Sequence, residues 1–466
     1  MTATPGNGGG NASGGAGNGG GNASGGTGNG GNGGNGGGPV AFVHARLFDP
    51  ATGLDGDGGL VVRDGLIADL GAHITLDSVP PGMAVVDCGG HILAPGLIDM
   101  RVFSGEPGHE HRETLATASH AAAAGGVTTI VTMPDTIPVI DDAALVDYML
   151  RRARDTALVN VAPMAALTKG LQGEVMTEFG LLKEAGAVGV TDGERMVANP
   201  LLLRRALAYA RDFDLLVVQH TEDPVLAASG VMNEGEVSTR LGLPGIPAAA
   251  ETMALERDMH LVELTGARYH AAQVTCRASL DVIRAAKDKG LPVTCGVSIN
   301  HLTLNETDIG AYRTFFKLSP PLRPETDRRA MVEGVADGTI DVVVSSHDPQ
   351  DPDTKRRPFA EAEFGAIGLE TLTSAALSLV HAGEVSLARM IHAMTAAPAQ
   401  ILGFPAGRLA TGAPADLVLI DPTFTWTVDP EHLKSKAKNT PFEGREFVGD
   451  AIRTVVAGQT VYNRLE

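Results

Sequence analysis

Eight apolar, β-branched runs separated by longer connections, several of them helical in pattern, constrain the fold of this chain more than any other feature. The runs are Ile92 to Val102, Val127 to Met133, Leu158 to Leu167, Ala187 to Thr191, Leu215 to Gln219, Tyr269 to Cys276, Pro292 to Ile299 and Ile340 to Ser345. Helix-like segments lie between them at Glu113 to Ala124, Ala143 to Ala153, Leu201 to Asp212, Leu280 to Lys289 and Arg328 to Ala336. Eight strand-then-helix units over about 300 residues predict a TIM-like (β/α)8 barrel, whose active face lies at the C-terminal strand ends. An open doubly wound sheet is the alternative. No Gly-x-Gly-x-x-Gly turn opens a helix to support it.

The flanks read differently. Val40 to Val43, Leu60 to Val62 and Ala84 to Asp87 are short strands with turn residues between them, and the pattern returns at Gly407 to Leu409, Ala415 to Asp421 and Arg453 to Tyr462. The two ends therefore predict one small β-sandwich, residues 39–93 and 400–466, around a barrel of residues 94–399. Residues 1–38 carry no charge and repeat a Gly/Asn-rich unit. Such a segment cannot bury enough apolar surface to offset its ordering entropy, so a disordered tether is expected, with a reach of roughly 35 Å. Its two sequons, at Asn11 and Asn22, are read as accidental in a cytosolic protein.

A formal net charge of -19 opposes binding to nucleic acid or anionic lipid. No apolar run reaches the roughly 20 residues of a membrane span, and no signal peptide is recognisable, so a soluble, cytoplasmic protein is expected. The three cysteines, Cys88, Cys276 and Cys295, are widely separated and read as buried structural thiols.

The predicted strand ends hold the chemistry. Strand one ends in Pro95-Gly96-Leu97-Ile98-Asp99-Met100-Arg101-Val102-Phe103, followed by Glu106-Pro107-Gly108, and strand two in Met133-Pro134-Asp135. Further markers are His220-x-Glu222-Asp223, Pro320-Pro321-Leu322-Arg323, Gly368-Leu369-Glu370-Thr371 and Lys438-Asn439-Thr440-Pro441-Phe442. From Val40 onward, this ordered set resembles the class I dihydroorotase family of the amidohydrolase superfamily. The resemblance implies the amidohydrolase-type barrel with a sandwich from both termini, and a zinc-dependent cyclisation of N-carbamoyl-L-aspartate to dihydroorotate in pyrimidine biosynthesis.

Residue by residue, the resemblance implies a dismantled centre. The two strand-one histidines of the family fall on Arg101 and Phe103, and its carboxylate-gripping arginine on Gly105. The asparagine after strand two becomes Asp135, the strand-six ligand Gln273, and the asparagine before Pro-Pro-Leu-Arg becomes Ser319. The catalytic aspartate of strand eight falls on Ser346, with Asp348 nearby as an alternative. Asp192 and His220 match the bridging aspartate of strand four and the strand-five ligand. A guanidinium offers no lone pair and a phenyl ring no ligand atom, whereas a hydrolytic zinc usually takes three protein ligands and an open position. No catalytic residue and no metal are therefore expected.

The family also contains silent subunits that assemble with aspartate carbamoyltransferase, and the degenerate pattern resembles these. The expected role is a non-catalytic, oligomeric partner of that enzyme. The competing reading is an active dihydroorotase, or another cyclic amidohydrolase, using a mononuclear zinc on Asp192, His220, His347 and Asp348. Set against it, His347 and Asp348 read more simply as a hydrogen-bonded strand-end pair. His109 and His111 read as exposed loop histidines, His270 and His301 as packed core residues, Arg323 as a solvated or salt-bridged loop residue and Lys355-Arg356-Arg357 as an exposed charged loop.

Overall fold

The computed structural model describes residues 38–465, so the Gly/Asn-rich tail and its sequons lie, but for residue 38, outside the described residues. Eight parallel barrel strands run Leu97–Val102, Val127–Thr132, Asn160–Pro163 with Ala165–Ala166, Gly189–Thr191, Leu216–Gln219, Tyr269–Ala271, Val293–Ser298 and Val342–Val344. Strand three is interrupted at Met164, its first half pairing with strand two and its second with strand four. Closure comes from a parallel bridge between Val102 and His347, where the Phe103 amide donates to the His347 carbonyl at 2.9 Å. The Asp99 side chain completes the seam. Its Oδ2 accepts from the Ser345 amide at 3.0 Å and its Oδ1 from the Arg101 amide at 3.0 Å.

Period-2 alternation sends one set of strand side chains inward and the other toward the helices. Met100, Val131, Met133, Ala162, Met164, Leu216, Val218, Ala272, Val342 and Val344 form one buried cluster within the barrel. The helices cover the outside. Arg277–Asp288 buries Leu280, Ile283 and Ala286 at three-residue intervals, and Ala143–Thr156 starts where Asp142 accepts from the Leu145 amide at 3.0 Å.

The run Ile92 to Val102 is two strands, not one. Ile92–Pro95 belongs to the flanking sheet, pairing antiparallel with Leu417–Thr427 and parallel with Val40–Asp49, and Leu97–Val102 belongs to the barrel. Gly96 is the hand-over. Its amide donates to the Asp416 carbonyl at 2.8 Å, and a Cβ there would lie 2.2 Å from the Thr128 side chain. The flanking sheet orders Gln459–Asn463, Glu446–Val456, Leu417–Thr427, Ile92–Pro95, Val40–Asp49, Leu54–Arg63 and Leu66–Gly71, with Ala84–Asp87 also pairing to Val40–Asp49. Strands from both ends of the sequence thus share one sheet, as the sequence pattern predicts. Gly407 to Leu409 is not a strand; the Leu409 amide is instead bound by the Asp49 carboxylate at 2.8 Å. No helix among the described residues is long and apolar enough to cross a membrane.

Candidate functional site

Arg101 leaves strand one as a fully buried guanidinium. Its Nη2 lies 3.5 Å from Oε1 of Glu194 and its Cζ stands 5.3 Å from the centre of the Phe103 ring. Nε and Nη1 have no hydrogen-bond partner among the described residues. Gly105, two residues beyond Phe103, has φ +69°, and a Cβ there would sit 2.5 Å from the Glu113 carbonyl oxygen. Both conformation and space require glycine, so the missing arginine is not a single exchange away.

Across the mouth, Gln273 donates from Nε2 to Ser346 Oγ at 2.6 Å. A carboxamide and a hydroxyl thus hold each other where the resemblance implies a ligand and a catalytic carboxylate. Asp192 is buried with both oxygens engaged, Oδ1 by the Thr168 amide at 2.8 Å and Oδ2 by Thr168 Oγ1 at 2.5 Å. Burial pushes its pKa up despite those bonds. His220 faces Glu222, Nε2 to Oε1 at 3.8 Å, and its Nδ1 has no partner among the described residues. Burial opposes the charge of Glu222, but His220 and Arg323 outweigh it and hold the pKa low.

His347 and Asp348 do not form the strand-end pair expected of them. Strand eight stops at Val344 and Ser346 adopts φ +51°, which ends the alternation on which any face-sharing depends. The His347 ring packs near Glu113, Nε2 to Oε2 at 3.5 Å, and its Nδ1 accepts from the Gly368 amide at 3.3 Å. Asp348 borders the mouth instead. Its Oδ1 accepts from Gln350 Nε2 at 2.9 Å. Asp192, His220, His347 and Asp348 therefore each have a separate local partner.

A cavity of about 160 Å³ opens at the mouth, lined in part by Phe103, Met133, Asp135, Glu194, Asp348, Gln350 and Phe364. A smaller one, lined by Asn300, His301, Ser319 and Ser346, shares Glu194 and Asp348 with it. The lining is acidic. Desolvation, reinforced by Glu194, raises the Asp135 pKa to about 7, and desolvation with Glu194 and Asp135 pushes Asp348 well above the usual carboxylate range. Sequence reasoning passed over Glu194, although it stands two residues beyond Asp192. It also passed over Glu113, which no spacing rule links to His347.

The loop after strand eight also departs from expectation. Lys355 is buried, Nζ donating to the carbonyls of Glu363 at 2.7 Å and Thr314 at 3.2 Å, and desolvation lowers its pKa to about 7. Arg356 and Arg357 are exposed. Of the two readings of Arg323, the salt-bridged one holds: it pairs with Glu251 and donates to Thr275 Oγ1 and Asn233 Oδ1, each at 2.9 Å, but is fully buried rather than solvated. His270 and His301 are buried, with desolvation lowering their pKa values to about 3 and about 4. His111 is exposed and His109 half-buried. All three cysteines are buried free thiols, each pushed up to about 12 by desolvation.

The zinc pair implied by the resemblance does not fit these residues. Among the described residues, no group of three or more His, Cys, Asp or Glu side chains comes together in a way that could hold a metal ion. At the positions in question stand a guanidinium, a phenyl ring, a carboxamide and a hydroxyl, none of which replaces imidazole or carboxylate as a zinc donor.

Residues 90–279 match the dihydro-orotase-like family model, and residues 371–462 that of an amidohydrolase family. A protein named dihydroorotase from Citrifermentans bemidjiense is 44% identical over 417 residues, covering 90% of this chain and 98% of the relative. One of the same name from Anaplasma phagocytophilum is 44% identical over 429 residues, covering 91% and 95%. Among solved structures, L-hydantoinase (dihydropyrimidinase) from Arthrobacter aurescens superposes with a TM-score of 0.82 at 24% identity, covering 91% of this chain and 96% of that one. A dihydropyrimidinase from Brevibacillus agri gives 0.79 at 21% identity, covering 91% and 95%. These two share the fold. With an amidohydrolase-type barrel, and 44% identity to dihydroorotases along nine-tenths of its length, this chain belongs to the dihydroorotase family.

Proposed function

We propose that this protein is a non-catalytic member of the dihydroorotase family that works through its surface, as an oligomeric cytoplasmic partner of aspartate carbamoyltransferase in pyrimidine synthesis. The observation that carries this reading is the end of strand one, where the buried Arg101 guanidinium, held beside Glu194 and Phe103, stands where the family resemblance implies zinc-binding imidazole. A cation at that point repels a metal ion. Without a metal, nothing polarises the amide carbonyl or activates the attacking group, and electrostatic stabilisation is usually the largest contribution to such catalysis. The Gln273 to Ser346 hydrogen bond supports the same reading, since it leaves a hydroxyl where a proton shuttle is required.

The competing reading, a mononuclear zinc on Asp192, His220, His347 and Asp348, has less support because those side chains engage separate partners. The test is co-purification with the carbamoyltransferase of the same organism, together with an assay of that enzyme in the presence and absence of this chain. The expected result is a stable complex with altered carbamoyltransferase activity. Absence of both a complex and any effect on activity would sink the proposal.

A further inference from the structure

We propose that the remodelled barrel mouth is a binding site for a small organic cation carrying a primary ammonium group. The ligand implied by the family resemblance, N-carbamoyl-L-aspartate, is an anion, yet the cavity here is walled by Asp135, Glu194 and Asp348. Protein cations offset this set only in part, Arg101 and Arg195 acting through space on Asp135 and Lys355 on Asp348. Arg101 reaches only Glu194, at 3.5 Å, and Lys355 directs its ammonium to backbone carbonyls. Arg112 and His109 also line the cavity, and the buried Nε of Arg112 has no hydrogen-bond partner among the described residues.

A second, independent observation concerns oxygen atoms that lack a donor. Gln350 is 5% exposed and lines the cavity, and its Oε1 has no hydrogen-bond partner among the described residues. Oδ1 of Asn300, 1% exposed on the adjoining cavity, and Oδ1 of Asp135 are likewise without partners among the described residues. An ammonium group presents three donors and no acceptor, which is the complement of carboxylates joined by orphaned amide oxygens. Leaving such acceptors buried and unmet is costly, so a donor-rich ligand gains by supplying them.

Two aromatic rings complete the enclosure. Phe103 and Phe364 both line the cavity, and each already lies within cation–π range of a protein cation, Phe103 at 5.3 Å from Arg101 and Phe364 at 4.6 Å from Lys317. Carboxylates combined with ring faces are a known recipe for recognising organic ammonium ions. Desolvation first and neighbouring carboxylates second raise the pKa values of Asp135 and Asp348, a penalty that a bound ammonium group would relieve. The inference depends on the misfit to zinc but not on any role beside a carbamoyltransferase.

The experiment is calorimetric titration of the full chain, dialysed against chelator, with n-propylammonium chloride, sodium succinate and zinc chloride in separate arms. Saturable binding of n-propylammonium, little binding of succinate, and about tenfold or greater weakening by Asp135→Asn or Asp348→Asn are expected. Binding of succinate in preference to the amine would overturn the proposal, as would no amine binding at all. Stoichiometric zinc uptake that the amine fails to oppose would also overturn it, by assigning the carboxylates to a metal. The charge preference is read on the unaltered protein, so it stands even if a variant fails to fold.

Discussion

Two buried arginines of this molecule, Arg323 and Arg101, have equally little access to solvent and opposite surroundings. Arg323 donates to Thr275, Asn233 and the Ile246 carbonyl and pairs with Glu251, which itself accepts from the Thr275 amide at 2.8 Å. Arg101 has one ionic contact, at 3.5 Å with a partly exposed Glu194, and two nitrogens without partners among the described residues. Burying a charge is tolerable when every donor is met and expensive otherwise. The first arginine is integral to the scaffold, whereas the second is a buried cation with two of its nitrogens unmet among the described residues.

The contrast predicts unequal consequences. Glu251→Ala strands the Arg323 charge in the interior and is expected to destabilise the protein by roughly 3–5 kcal/mol in urea denaturation. A loss below about 1 kcal/mol would break the comparison by showing that the Arg323 network contributes little. Asp99→Asn removes an acceptor from the seam that joins strands one and eight, and about 1–3 kcal/mol should be lost in the same measurement. Amide exchange at Ser345 should then quicken.

A third test uses pH. The folded-state pKa of Asp135, about 7, lies above its unfolded value, so above the unfolded pKa the unfolded state binds fewer protons. Its contribution to stability is thus present at low pH and lost as pH rises through about 7. Asp135→Asn cannot ionise, so its stability relative to the unaltered protein should increase from pH 4 upward and level off above about pH 7. A flat difference across that range would contradict the acidic crowding at the mouth. The smallest effect belongs to Arg101→Met, which exchanges an incompletely paired buried cation for an apolar side chain. It should change stability by less than about 1 kcal/mol or raise it; a large loss would make the two arginines alike.

The barrel was legible because burial imposes patterns. Apolar runs of strand length alternating with amphipathic helices can be read directly, and helix bounds such as Pro200–Asp212 fall within a residue or two of the pattern. Strand one reads as continuous because both halves are equally apolar, and the break at Gly96 shows only in the pairing, Ile92–Pro95 joining the flanking sheet and Leu97–Val102 the barrel. The mouth was partly legible. Arg101, Phe103, Gln273 and Ser346 could be named from the family resemblance, but where their side chains turn depends on contacts that are remote in sequence. Glu113 meets His347, and Glu194 meets Arg101, across gaps that no local rule spans. Lys355 was expected in solvent because charged loop residues are usually hydrated, yet three carbonyl oxygens draw its ammonium inward.

The central claim is most directly tested by measuring zinc and dihydroorotase turnover on one preparation of the full chain, expressed with zinc supplied. The account predicts well under one zinc per chain and no cyclisation of N-carbamoyl-L-aspartate above background. Near-stoichiometric zinc together with turnover on the order of 1 per second, a rate typical of enzymes, would contradict it.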